Sequence, residues 1–356
     1  MTFPRRASLA LALLTLAALA AVVFPHGRVS AQTAAAAPQQ SASPNGKIVF
    51  QSDRGGDFSD IYVVEADGKR ETRLTTDVAD DSMPVWSPDG TQIAFISARR
   101  GTFEIFLMNA DGSNQRPLRA APVEAVEVAW SPDGRMLTYD WSPGFGVSDV
   151  YVVEAVAPGG GDSGAAPVNL TSGYGGFASD PSWAPNSTRL VFRGDQDLYT
   201  VDANGGGLTQ ITNTPADSEA HPTWAGGLIA YEGLRNFERA IYVVNADGTG
   251  EVKVSGAVGS FGAPVWSADG SRLAFIATSG DAYAVNANGT GLTLLNDMAG
   301  TSSHPFWSPD GRQVGFANDG DINVVNSDGT SRHASNYTKT RRAFEQGNSW
   351  QRVQAQ

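Results

Sequence analysis

The sequence predicts a seven-bladed β-propeller of four-stranded antiparallel blades, and three observations carry that prediction. Seven tryptophans, Trp86, Trp130, Trp183, Trp224, Trp266, Trp307 and Trp350, follow one another at intervals of 44, 53, 41, 42, 41 and 43 residues. The text around them repeats, as PVWSPDG at 84–90, VAWSPDG at 128–134, PVWSADG at 264–270 and PFWSPDG at 305–311, with looser copies PSWAPNS at 181–187 and PTWAGG at 222–227. No stretch after residue 46 places apolar residues at helical spacing over more than two turns. A period of about 40 residues marks a stacked supersecondary unit, and four short antiparallel strands per unit make that unit a propeller blade.

The second copy shows what each unit contains. Pro84-Val85-Trp86 is a short apolar strand closed by the Pro88-Asp89-Gly90 turn, and Gln92 to Ile96 is the second strand. A polar loop, Ser97 to Thr102, leads to the third strand, Glu104 to Met108, then the Asp111-Gly112 turn and a fourth strand from Pro117. Asp-Gly between β-rich runs signals a hairpin, because both residues tolerate the positive φ of a tight turn. The third strand recurs as DIYVVEADG at 60–68, DVYVVEA at 149–155, DLYTVDANG at 197–205, IYVVNADG at 241–248 and DINVVNSDG at 321–329. Its β-branched and aromatic residues suit a pleated surface packed between neighbouring sheets. The one long interval comes from the glycine-rich stretch Ala157 to Ala166, expected to be an exposed excursion of the third unit.

The repeat is out of phase with the chain. Its first unit opens on a second strand at Lys47–Phe50, while the last tryptophan strand, Asn348-Ser349-Trp350, has only Gln351–Gln356 after it. The surplus strand at one end is the missing strand at the other, so the C-terminal strand is expected to complete the N-terminal blade and remove the free sheet edges. A six-bladed ring with one terminal unit undocked is the alternative.

Residues 1–31 have the layout of a secretory signal peptide: Arg5-Arg6, an apolar stretch from Ala7 to Phe24, and small residues at Val29-Ser30-Ala31. The twin arginines leave the export route open between the general secretory and twin-arginine pathways. Residues 32–46 read as a flexible linker and 47–356 as the propeller domain, which places the protein in the periplasm or outside the cell, with no membrane span after cleavage. Cysteine is absent, and a domain of about 310 residues has ample core without disulfides. Removing residues 1–31 takes away three arginines and no acid, which moves the formal charge from -12 to roughly -15. So acidic a chain repels phosphate backbones, which excludes nucleic acid as a partner; a monomer is expected.

The units resemble the WD-like repeats of TolB-type periplasmic propellers. Pro-x-Trp-Ser-Pro-Asp-Gly, Ile-Ala-Phe and the Tyr-Val-Val-Asn-Ala-Asp-Gly strand recur in that order, followed by Leu-Thr elements at Arg73-Leu74-Thr75, Asn169-Leu170-Thr171 and Gln210-Ile211-Thr212. The resemblance covers residues 47–350 and implies a secreted propeller of this repeat family. TolB-like proteins carry an α/β domain before the propeller, where this chain has a short linker.

Two candidate sites lie on the face opposite the stereotyped Asp-Gly turns, where loops vary from blade to blade. The first is a set of loop residues: Trp141 and Phe145 in the third unit, Arg99 and Arg100 in the second, Arg235 and Phe237 in the fifth. Aromatics and arginines anchor protein contacts, and an aromatic platform also stacks on sugars; the alternative is that Trp141 folds back over its blade. The second is the position three before each tryptophan, which reads Met83, Glu127, Asp180, His221, Ala263, His304 and Gly347 and should ring the channel mouth. Glu127, Asp180, His221 and His304 are candidate ligands of a divalent cation, although a capping role for the histidines is the simpler expectation and no other cofactor is expected. The aspartates before the third strands, such as Asp60 and Asp149, are read as structural acceptors. The chain has no Gly-x-Ser-x-Gly elbow, no phosphate-binding glycine loop and no His-Glu-x-x-His. The reading is therefore a non-catalytic scaffold that binds a protein or a carbohydrate. The alternative is a metal-assisted polysaccharide lyase or hydrolase acting at the channel mouth, by analogy with propeller lyases that use channel histidines on pectin fragments.

Overall fold

The computed structural model describes residues 45–118, 125–144, 147–155, 165–214, 217–260, 262–296, 302–331, 335–336 and 345–352. The signal and linker assignments before residue 45, most of the glycine-rich stretch and Phe145 lie outside them. Among the described residues there is no helix, and the strands form seven four-stranded antiparallel sheets. The protein is a seven-bladed propeller.

Blade one holds Asn45–Ser52, Asp60–Val64 and Thr72–Arg73, and its innermost strand is Glu345–Arg352 from the other end of the chain. Ile48 pairs with Trp350 and Val49 with Ser349. The Trp350 indole donates to the Gly46 carbonyl at 2.9 Å, and Gln351 Nε2 to the Gly90 carbonyl of the next blade at 2.7 Å. The ring therefore closes as expected. Blade two comprises Asp81–Trp86, Gln92–Ser97, Glu104–Asn109 and Arg116–Pro117, close to the bounds expected from sequence. Blades three to seven begin at Ala125, Ala178, Ser218, Val265 and Ser302.

The core lies between blades. Ile61 and Val63 of blade one pack with Trp86, Ile93 and Phe95 of blade two, and the same arrangement recurs around the ring. A sheet covered on both faces has no solvent side, which is why its middle strands read as unbroken apolar runs rather than alternating ones. The repeat tryptophans also tie neighbouring blades together. The indole N–H groups of Trp183, Trp266 and Trp307 donate to Ala129, Thr223 and Val265 carbonyls on the preceding blade.

The remaining repeat elements are structural. In the Leu-Thr element, the Thr75, Thr171 and Thr212 hydroxyls accept the third-strand N–H groups of Ile61, Val150 and Leu198 at 2.8–3.0 Å. Asp60 and Asp149 accept in turn from Thr75 and Thr171, the part expected of them. In the turn after the tryptophan, the Ser87 hydroxyl donates to Asp89 at 2.6 Å and Asp89 accepts the Thr91 N–H at 3.0 Å. Gly90 is required there, because its φ is +70° and a Cβ would collide with the Arg352 carbonyl.

Candidate ligand site at the channel mouth

The inner strands are interrupted at one equivalent place. Met83, Glu127, Asp180, His221 and His304 have φ between +48° and +54°, a left-handed conformation that costs a non-glycine residue roughly 1–2 kcal/mol. Pairing slips at each of them, between Ser82 and Val85, Val126 and Ala129, Ser179 and Ser182, Ala220 and Thr223, and Ser303 and Phe306. Four of the five are followed by proline, at 84, 181, 222 and 305. Proline has no N–H for the ladder and is accommodated in sheets at bulges. The bulge re-aims the residue before it.

The re-aimed side chains meet at one cavity of about 430 Å³. Met83, Glu127, His221, Ala263 and His304, five of the seven positions singled out by their place before the tryptophans, line it. Gln51 and Ser303 add polar groups; Pro84, Val85, Val128, Val265 and Pro305 supply apolar wall. An apolar cavity with a few converging polar groups is the usual form of a small-ligand site.

A bulge also frees backbone N–H groups, and the preceding blade collects them. Gln51 accepts the Met83 N–H at 2.7 Å, and Glu232 accepts the Gly262 N–H at 2.8 Å. Asp140 accepts the Asp180 N–H, and Asp180 accepts the His221 N–H at 3.2 Å. Gln51, Asp140 and Glu232 each follow the aromatic residue of a second strand, Phe50, Tyr139 or Tyr231. The sequence reading missed these three, although aligning second strands sets these acceptor side chains apart from Ile96, Ile276 and Ala317 of blades two, six and seven and from the cationic Arg193 of blade four.

Blades three and four consequently bring three carboxyl groups together. Glu127 stands exposed on the channel, yet local desolvation by the surrounding protein and, after it, the nearby Asp180 and Asp140 charges raise its carboxyl, to about 8. Asp140 is raised to about 7 by burial and by Asp180. It is only 6% exposed, and its Oδ1 has no hydrogen-bond partner. His304 is exposed on the channel, and local desolvation lowers it, favouring the neutral imidazole. Carboxylates crowded out of water hold protons that isolated ones release. The His221 Nδ1 is buried and without a partner. Glu127, Asp180 and His221 are thus neighbours in the ring, while blade six separates His221 from His304. Among the described residues no three His, Asp or Glu side chains are grouped so as to hold a metal ion.

The loop residues are not assembled into one platform. Arg99 is held by Asp77 at 3.0 Å and Asp81 at 2.8 Å, over the rings of Phe95 and Phe106. Arg235 is bound to Asp217, Glu219 and Glu251, over Tyr242. Both guanidiniums brace their own blades. Arg100 pairs with Glu104. Trp141 is half-buried and meets Tyr151 edge-on at 6.0 Å, folded against its blade's core. Phe237 stands fully exposed at a hairpin tip with φ +65°.

Comparison with known proteins agrees with this architecture. The profile described as the TolB beta propeller domain matches residues 26–144 and 165–333. A protein TolB homolog of Chlorobium luteolum is 39% identical over 61 residues, 17% of this chain and 14% of that protein. The crystal structure of TolB from Acinetobacter baumannii superposes with a TM-score of 0.51 at 15% identity, covering 86% of this chain and 66% of that one. An oligogalacturonate lyase in complex with manganese superposes with a TM-score of 0.63 at 14% identity, covering 79% of this chain and 86% of the lyase. At such identities the superpositions speak for the fold alone.

Proposed function

The chain belongs to the TolB beta propeller family, and from that premise we propose that it is an extracytoplasmic binding module that receives a protein segment or glycan at its channel mouth and performs no chemistry on it. The signal-like residues 1–31 support the location, and no helix among the described residues is long and apolar enough to cross a membrane. The observation that carries the binding role is the strained ring. Five left-handed residues on the inner strands of blades two, three, four, five and seven break those strands, and four of them line a cavity of about 430 Å³. Backbone strain held in place by surrounding structure accumulates where side chains must be aimed.

Arrays of synthetic peptides and oligosaccharides, oligogalacturonates included, test the reading with the full chain and an Ala263→Trp variant that fills the mouth. The expected result is binding to one class that the substitution abolishes. Hits that survive the plug move the site away from the mouth.

A metal-assisted lyase is the second reading, favoured by Glu127, His221 and His304 sharing one cavity wall and by a fold shared with a manganese-containing lyase. Among the described residues these side chains do not group into a three-ligand metal set. Metal content by mass spectrometry decides this reading. Stoichiometric manganese or zinc in the wild type, lost in the His221→Ala, His304→Ala double variant, establishes a metal site and directs substrate tests to uronic-acid oligosaccharides.

A further inference from the structure

We propose that the surface beside the channel mouth on blades one and two docks a cationic, apolar segment of a partner protein, with Phe58, Val78 and Phe103 as its apolar contacts. None of the three lines the mouth cavity, so the patch is a second contact surface in addition to the mouth.

The topology brings these side chains onto one face. Phe58 lies in the loop between the second and third strands of blade one, and Phe103 in the equivalent loop of blade two. Val78 lies in the link from blade one to blade two. Asp81, the first residue of the inner strand of blade two, pairs with Ser97, where the loop carrying Phe103 begins. The patch therefore shares the face of the mouth residue Met83. Val78 is 87% exposed, Phe103 47% and Phe58 41%. Blades four and seven turn the same corner with Asp195-Gln196 and Asp319-Gly320, which carry no apolar side chain.

Exposed apolar residues scattered singly need no explanation, but these are tied together. Asp80 of the link accepts the Ser59 N–H on its carboxylate at 3.0 Å and the Ala98 N–H on its carbonyl at 2.9 Å. The Asp81 N–H donates to the Ser59 carbonyl at 2.8 Å. On the other side of Val78, Asp77 holds Arg99 at 3.0 Å. The link is thus stitched to both loops, and an apolar group fixed before its partner arrives loses less entropy on docking. Aromatic side chains around an aliphatic one on a rigid frame suit a protein contact.

Charge selects the occupant. Segments 53–59, 76–81 and 98–104 hold six acidic residues against three arginines, a net charge of -3. Arg99 is bound to Asp77 and Asp81 and Arg100 to Glu104, while Asp57 stands exposed beside Phe58. A second copy would meet like charge, and an anionic lipid surface would be repelled. A protein segment with lysine or arginine between apolar residues complements both the charge and the apolar groups.

The experiment is calorimetric titration of the full chain with three acetylated, amidated peptides that repeat Lys-Leu-Gly, Glu-Leu-Gly or Lys-Ser-Gly four times. The Lys-Leu-Gly peptide is expected to bind with a Kd below about 1 mM and to weaken as salt rises; the other two are expected not to bind. Val78→Ser should weaken that binding about fivefold and Phe103→Ser about tenfold. Asp57→Lys should weaken it about tenfold and admit the Glu-Leu-Gly peptide. Val78→Ser changes a nearly fully exposed side chain and should melt with the wild type, so the test stands even where Phe103→Ser does not fold. No Lys-Leu-Gly binding, a preference for the acidic peptide, or equal affinity in Val78→Ser overturns the proposal. So does a dimer in sedimentation velocity that Val78→Ser dissolves, which assigns the patch to a second copy. Binding to vesicles of equal parts phosphatidylcholine and phosphatidylglycerol that Val78→Ser abolishes assigns it to a membrane and overturns the proposal too. Ala263→Trp should leave the Lys-Leu-Gly affinity unchanged. Loss in that variant with Val78→Ser unaffected places the peptide in the mouth, which overturns this patch and leaves the mouth reading intact.

Discussion

The two faces of this propeller use the same acidic residues in opposite ways. On the turn face, Asp89 and Asp269 are exposed and Asp310 half-buried, and local desolvation alone would raise them. Hydrogen bonds from Ser87, Ser267 and Ser308 and from the following backbone outweigh it and leave each carboxyl below its ordinary value. At the channel mouth Asp140 is buried and Glu127, exposed on the channel, is crowded by protein atoms, both with other carboxylates for company, and they are pushed up to about 7 and about 8. A carboxylate supplied with donors stabilises the fold as an anion, whereas one facing other carboxylates is held at a cost. The difference separates acids that build the blade from acids that the blade holds in readiness.

The largest effect should come from breaking the repeat skeleton itself. Trp307 is 9% exposed and joins blade seven to Val265 of blade six. Trp307→Ala is expected to lose about 3–5 kcal/mol, read as the shift in denaturant midpoint. A loss below 1 kcal/mol would show that the tryptophan period reflects something other than inter-blade packing. The second effect belongs to the mouth and has the opposite sign. Because the folded Glu127 value exceeds the ordinary 4.5, its favourable contribution is complete below about pH 4.5 and is lost as pH rises through about 8. Glu127→Gln removes that loss. It should match the wild type at pH 4.5 and exceed it at pH 9, by about 1 kcal/mol at most once the solvent screening of this exposed side chain is discounted, and thermal melts across that range would expose an absent difference.

A third test separates aim from stability. Met83 lines the cavity at φ +51°, and glycine tolerates that conformation while losing more chain entropy on folding. Met83→Gly should therefore be neutral to about 1 kcal/mol stabilising. A clear destabilisation in chemical denaturation would mean that the methionine is there for packing, and that the left-handed ring is not a store of strain.

These contrasts also show what was legible in the residues. Blade number and ring closure could be read from the tryptophan period and its phase, because inter-blade packing forces each blade to repeat the same apolar surface. The ring positions were equally readable, since a fixed offset from the tryptophan becomes a fixed height on the inner strand. What the alignment does not encode is how neighbouring blades share hydrogen bonds. Gln51, Asp140 and Glu232 serve the blade after their own, a relation between units that no single repeat contains. Arg99 and Arg235 illustrate the same limit. Each looks like a surface anchor in a variable loop, yet three-dimensional neighbours such as Asp81 and Glu219, both completely buried, hold them as braces.

The smallest expected effect sharpens the comparison from the turn side. Asp269 accepts from Ser267, Ser271 and the Ser271 backbone, and its lowered value means its contribution is present above pH 3.8 and is lost as pH falls below it. Blade four already carries a neutral version: Asn186 accepts the Thr188 N–H at 3.1 Å and its hydroxyl at 2.9 Å. Asp269→Asn should therefore keep the turn and cost only about 0.5–1 kcal/mol at pH 7, discounted for its largely solvent-screened position. That deficit should shrink at pH 3, below the ordinary value of 3.8, because the favourable contribution of the ionised carboxyl fades as pH falls toward its lowered folded value. Melting curves at the two pH values measure it. A deficit unchanged at pH 3 would assign the aspartate's worth to shape rather than charge, and the opposition between turn and mouth carboxylates would then rest on the mouth alone.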